Sequence, residues 1–223
     1  IVLATAAVLH SVIAALNRSL IGLSSDLLKS NLELMETLGS AIALRDSVTD
    51  AHNYRVTAYA MCMGEALRLS GRQLRDLIAG AFLHDAGKIG VGDAILLKPG
   101  PLTPAEMAAM HRHVSLGVEI VAKSSWLSGA RDIVEFHHEK FDGSGYLNGL
   151  AAGAIPLGAR IFAIIDVFDA LTSRRTYREP LPFAEAMAVL ERGRGTHFDP
   201  ALLDVFEGIA AENHARISAH DDV

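Results

Sequence analysis

Cys62 is the only cysteine in the chain, so no intrachain disulfide can form, and a reducing, cytoplasmic setting is expected. Basic charge is also scarce. Lys and Arg number 20 against 26 Asp and Glu, a formal net charge of -6, which excludes non-specific nucleic-acid binding through a broad basic face. A small anionic ligand stays compatible, because a local cluster of Arg and Lys overrides the global sign. No complete membrane span is present: residues 1–16 are apolar apart from Thr5, His10 and Ser11, and a spanning helix needs ~20 apolar residues. The run fits the cytoplasmic end of a membrane helix, as in a membrane-anchored sensor, and a chain opening on Ile1 inside it reads as a fragment. No secretory signal with a cleavage site, internal repeat or low-complexity segment is found.

Strand signals are missing as well, since no stretch sustains a period of two in β-branched residues. What is present is helical, and the expected fold class is all-α. Hydrophobic residues make up 50% of 223, enough to bury the core of one domain with an appendage. From Leu9 the apolar positions step through Ile13, Leu16, Leu20, Leu23 and Leu27, alternating four and three residues, and Leu34 resumes the step after Ser30. That is the heptad seam of a two-stranded coiled coil, or else the apolar stripe of a single amphipathic helix lying on the following domain. The expected organisation is a signalling helix that dimerises over 1–38, a catalytic body over 39–213 and a tail over 214–223.

Within the body, helices are expected at about 31–45, 51–69 (with Gly71 as the stop) and 73–84, followed by a Gly- and Pro-rich loop over 86–102 with a short turn around Ile95. Thr103-Pro104-Ala105-Glu106 reads as a helix start, with Thr103 as N-cap, Pro104 at the first position and Glu106 closing a capping box. Further helices are expected near 115–123, 129–138, 156–173, 182–192 and 200–213.

The chemistry lies in histidines and aspartates set in apolar surroundings. His84-Asp85 closes the run Leu77 to Leu83, where a buried carboxylate without a partner costs several kcal/mol. Chance alone supplies about half a His-Asp pair in such a chain, and His220-Asp221 is read as that accident. Asp166 sits in another apolar helix, where a salt bridge to Arg160 or Arg175 is the structural alternative. His137 and His138 are adjacent, which one core and one exposed histidine would also explain. His113 shares a helix end with His111 and Arg112 and is compatible with a surface position; His52 opens a helix, where histidine is unremarkable. Together these are five His and two Asp at successive helix ends. That donor set suits Fe, Mn, Zn or Ni rather than Ca, and seven ligands suit two ions bridged by a carboxylate. Two carboxylates against two divalent ions leave a local charge of about +2, suited to a phosphodiester and to lowering the pKa of a bridging water.

Across about residues 40–207 the sequence resembles the HD-GYP subgroup of the HD phosphohydrolase superfamily. The matching segments are His52 to Val56, Leu83 to Gly90, Leu97 to Gly100, His137 to Tyr146, Ile155 to Arg160 and Asp166 to Ser173, in the same order and spacing. The resemblance implies an HD-type helical bundle hydrolysing cyclic di-GMP to linear pGpG, GMP or both, by attack of a metal-bridging hydroxide. It implies that His52, His84, Asp85 and Asp166 hold one metal, and that His113, His137 and His138 hold a second, with Asp85 bridging. The ions it implies are Fe or Mn first, with Zn, Ni or Co also compatible. Asp85 and Lys88 are the implied catalytic residues; Lys88, on the face of His84 if the helix continues, contacts the phosphate or the hydroxide. Gly145, Tyr146, Arg175 and Arg178 are implied for the substrate, although a helix C-terminus also favours cations at the two arginines. Homodimerisation through the N-terminal helix and docking of a diguanylate cyclase or regulator on the 143–149 loop complete the expectation. Two positions depart from the family: Leu147 replaces the signature proline, freeing φ and restoring an N–H, and Val48 stands where some members carry a glutamate for a third metal. A nucleotide or alarmone phosphohydrolase and a non-catalytic dinucleotide sensor are the competing readings.

Overall fold

Helix α1, Val2–Ala43, runs without a break through the point near Asn31 where a separate helix is expected; no proline interrupts it, and its turns continue through Gly22 and Gly39. The structure, a computed structural model, describes residues 2–43, 50–174 and 179–219. The chain falls into two compact units, Ile1–Leu38 and Gly39–Val223. In the first, the heptad positions Ile13, Leu16, Leu20, Leu23, Leu27 and Leu34 are all exposed, from 47% to 66%. No helix among the described residues is long and apolar enough to cross a membrane.

The second unit holds α2 (Asp50–Ala66), α3 (Gly71–Leu83), the single turn α4 (Asp93–Leu96), α5 (Pro104–Val121), α6 (Arg131–Phe136), α7 (Leu157–Thr172), α8 (Phe183–Arg192) and α9 (Pro200–Ser218). No strand occurs among the described residues. Gly71 does not stop α2. That helix ends at Ala66, with Arg68 at φ 53 turning the chain, and Gly71 opens α3 behind a capping box between Ser70 and Gln73. The Thr103–Glu106 box starts α5 as expected, but α5 is one helix of 18 residues rather than two pieces. Helix α9 is capped by Asp199 and continues to Ser218, past the expected end at 213, because Ile217 is still buried.

Helix α7 is the axis of this unit. Ala159, Ile161, Phe162, Ala163, Ile164, Ile165, Phe168 and Leu171 are all buried, so apolar residues cover most of its circumference, the pattern of a helix enclosed by its neighbours. Helices α2, α3, α6, α8 and α9 pack on it. Phe168 meets Tyr59 of α2 edge-on at 5.4 Å and Phe206 of α9 at 5.0 Å. Each such side chain contributes about 1.5–3 kcal/mol through burial, which fixes where α7 sits and therefore where its two aspartates lie.

Candidate metal centre

Helix α3 delivers His84 at its C-cap, and the α-helical course ends there. Asp85 follows at φ -97, ψ 10, and a 3-10 turn runs over Ala86–Gly90. Lys88 therefore does not share a face with His84, as a continued α-helix would require. With three residues per turn it stands over Asp85 instead, its Nζ 2.7 Å from Asp85 Oδ2. Gly87 lets this turn lie against α5. A Cβ on Gly87 would come 1.7 Å from the His113 carbonyl oxygen and 2.4 Å from the Gly117 nitrogen.

That close approach gathers the histidines and aspartates singled out above. One ligand atom each from His52, His84 and Asp166 lies within 4.8 Å of the other two, and the same holds for His113, His137 and His138. Asp85 reaches both groups: Oδ2 is 3.2 Å from His84 Nε2 and Oδ1 is 3.5 Å from His113 Nε2. For Arg160, His113 and the His137-His138 pair the structural alternatives do not hold among the described residues, and the Asp166–Arg175 pairing lies outside them. Arg160 does not pair with Asp166; it donates to Asp199 at 2.5 Å and to the Ile155 carbonyl at 3.0 Å. His113 lies within α5 rather than at its end, and it is buried rather than at the surface. Of the histidine pair, His137 is buried and His138 mostly so, and both face His113. Arg175, Arg178 and Val48 lie outside the described residues.

The donor atoms are fixed from behind. His84, His113 and His137 each donate Nδ1–H to the carbonyl three residues earlier, on Ala81, Met110 and Val134, at 2.9, 2.8 and 3.0 Å. A carbonyl only accepts, so in the neutral imidazole of each of these residues Nε2 is a bare lone pair. His113 Nε2 and His137 Nε2 then stand 3.5 Å apart as two acceptors with no proton to share. A cation between them resolves that conflict, so the residues present fit a bound divalent metal. Burial, then His138, holds His137 well below the usual imidazole range; burial, then His113, pushes His138 down to about 3. Burial works to raise the Asp85 carboxyl, but the Lys88 ammonium and then His84 hold it well below the usual carboxylate range.

Asp169 has no role in the sequence reading, yet it orients the fifth histidine. Its Oδ2 accepts the His52 Nδ1–H at 2.7 Å, and Arg55 binds the same carboxylate through Nε at 2.6 Å and Nη2 at 3.1 Å. Despite burial, the bonds from His52 and Arg55 hold it down at about 2. Carboxylate partners of this kind orient metal-binding histidines. The signal was available: Asp169 lies three residues after Asp166 in a helix with almost no polar face. Glu139 was missed in the same way. Buried, its carboxylate accepts the Asn148 and Leu150 N–H groups at 2.9 and 3.1 Å and pins the 143–150 loop. In that loop Gly145 passes so close to Glu139 that a Cβ would lie 2.5 Å from Glu139 Cα. Tyr146 stacks on His138 and on His111. Leu147 takes φ 94, which proline cannot adopt.

A family model described as HD domain matches residues 34–202. A "Probable cyclic di-GMP phosphodiesterase" of Vibrio cholerae serotype O1 is 42% identical over 186 residues, covering 76% of this chain and 42% of that protein. The "Cyclic di-GMP phosphodiesterase response regulator RpfG" of Xanthomonas campestris pv. campestris is 44% identical over 174 residues, covering 77% and 46%. The chain thus spans less than half the length of these curated relatives. A solved structure of a cyclic GMP-AMP specific phosphodiesterase of V. cholerae shares the fold, with TM-score 0.65 at 20% identity over 85% of this chain and 51% of that one. By its helices, its motifs and these matches, the chain belongs to the HD domain family, in the HD-GYP subgroup.

Proposed function

We propose that this domain is a metal-dependent phosphodiesterase that opens cyclic di-GMP. In this reading His52, His84, Asp85 and Asp166 hold one divalent ion, and His113, His137 and His138 hold another together with Asp85. The observation that carries it is the placement of Asp85, one oxygen toward each histidine group with Lys88 on the same carboxylate. When bound, such ions polarise a phosphoryl oxygen and activate water near neutral pH. The protein's own part is electrostatic and positional. The Lys88 ammonium offsets negative charge developing on the phosphoryl oxygens. Gly145 and Tyr146 border the ligand, and Arg175 and Arg178 are proposed to bind its phosphates or guanines. Fe and Mn are the preferred ions, with Zn, Ni and Co compatible by donor type.

The test is product chromatography after anaerobic incubation with Fe(II) or Mn(II), supplying cyclic di-GMP, cyclic GMP-AMP, nucleoside monophosphates and a guanosine alarmone in parallel. Linear dinucleotide appearing before GMP supports the proposal. Turnover of monoesters or the alarmone alone would move the domain to the phosphatase reading. Two bound ions with no turnover of any compound would move it to the sensor reading.

Asp169 supplies a second check. Asp169→Asn keeps the shape but loses the charge shared by His52 and Arg55, so metal affinity is expected to fall about 10- to 100-fold, measured by titrating Mn(II) into metal-free protein. We further propose that a second copy of the chain covers the exposed heptad seam of α1. Leu20→Glu with Leu27→Glu is then expected to convert a dimer into a monomer in sedimentation. The 143–149 loop is the proposed dock for a cyclase or regulator.

A further inference from the structure

Five histidines face the centre, and four of them are held through an Nδ1–H bond: His52 by Asp169, and His84, His113 and His137 by backbone carbonyls. His138 is the exception. Among the described residues its side chain has one hydrogen-bond contact, Nε2 toward His113 Nε2 at 3.3 Å, while its carbonyl accepts the Tyr146 N–H at 3.4 Å. Its ring is fixed by a face. Tyr146 lies on it with centroids 4.5 Å apart and planes 27° from parallel, and His111 backs the far side of Tyr146 at 3.9 Å and 9°. His111 comes from α5, two residues before His113, so one helix supplies both a metal-facing imidazole and the outer plate of the stack.

Tyr146 stacked on one face, with the His137 ring tilted against His138 at 3.9 Å, restricts rotation of the His138 ring about its own bonds, as a hydrogen bond to Nδ1 does for the others. Tyr146 in turn is carried by a loop whose backbone is tied down by Glu139 and packed through Gly145. We infer that Tyr146, clamped by His111, is a positioning residue for His138, so that the order of the 143–150 loop and cation binding at the His113, His137 and His138 group are linked. This rests on the metal-binding reading proposed above and adds to it a route from an exposed loop to that group.

The experiment titrates Mn(II) into metal-free protein, following free Mn(II) by electron paramagnetic resonance, with loop protection read by amide hydrogen exchange. Tyr146→Leu is expected to weaken the second binding step about tenfold, within the range for loss of a supporting partner, and to leave the first step unchanged. Tyr146→Phe keeps the ring and is expected to bind Mn(II) in both steps with wild-type affinity. His111→Leu is expected to weaken the same step, with His111→Phe restoring it. Saturating Mn(II) is expected to slow exchange across 143–150 in the wild type and not in Tyr146→Leu. Wild-type affinity in Tyr146→Leu, while His113→Ala loses the second ion, would overturn the inference and leave the metal reading standing. Two ions retained at full affinity by His113→Ala would overturn both.

Discussion

Replacing Asp85 by alanine is expected to lower turnover of cyclic di-GMP by about a thousandfold or more, because the change removes roughly 4 kcal/mol of transition-state stabilisation at a metal centre. The carboxylate stands between His84 and His113, with Lys88 2.7 Å away. Its loss leaves each histidine group short of an anionic partner and takes from Lys88 the carboxylate that its Nζ approaches. Bound metal is expected to fall from two ions to at most one per chain. The helices are expected to persist, because the side chain contributes nothing to the apolar core around α7. Asp85→Asn separates shape from charge and is expected to be almost as impaired. Turnover retained in either variant, measured with metal in excess, would refute the bridging role.

Gly87→Ala is expected to damage both stability and activity. The added methyl would lie 1.7 Å from the His113 carbonyl oxygen and 2.4 Å from the Gly117 nitrogen, both backbone atoms that cannot rotate away. Relief requires the 3-10 turn to move off α5. Overpacking of this kind costs about 3 kcal/mol, a fall in melting temperature of about 6–12 °C for a domain of this size. The same movement draws Asp85 away from His113, so activity should fall more than the loss of folded protein explains. Thermal denaturation and turnover measured on the folded fraction check the two parts separately. A variant with wild-type melting and turnover would show that the turn does not depend on this contact.

The centre was legible because metal-binding side chains in apolar surroundings are conspicuous. His84-Asp85, His137-His138 and Asp166 all sit where an unpartnered polar group would be costly. The supporting layer was less visible because its members pair across long separations: His52 meets Asp169 117 residues later. Asp169 and Glu139 read as ordinary acids until the fold buries them. Lys88 was misplaced because only one backbone bond pattern separates a continued α-helix from a 3-10 turn, and it changes which neighbour the lysine faces. The start of α5 was clear from the cap at Thr103, whereas Gly71 read as a stop because glycine also suits a helix start behind a serine cap. The α1 seam was plain in the heptads, but no sequence pattern distinguishes a stripe meant for a partner from one meant for the same chain.

The turn at Leu147 constrains how this loop could be exchanged with those that carry the signature proline. Leucine reaches φ 94 at an energetic cost of about 1–2 kcal/mol, whereas the pyrrolidine ring is closed to that angle altogether. The two versions are therefore separate conformational solutions rather than neighbours one codon change apart. Grafting the whole stretch from Gly143 to Leu150 is the route between them, and a lone Leu147→Pro substitution would force the backbone out of its present course.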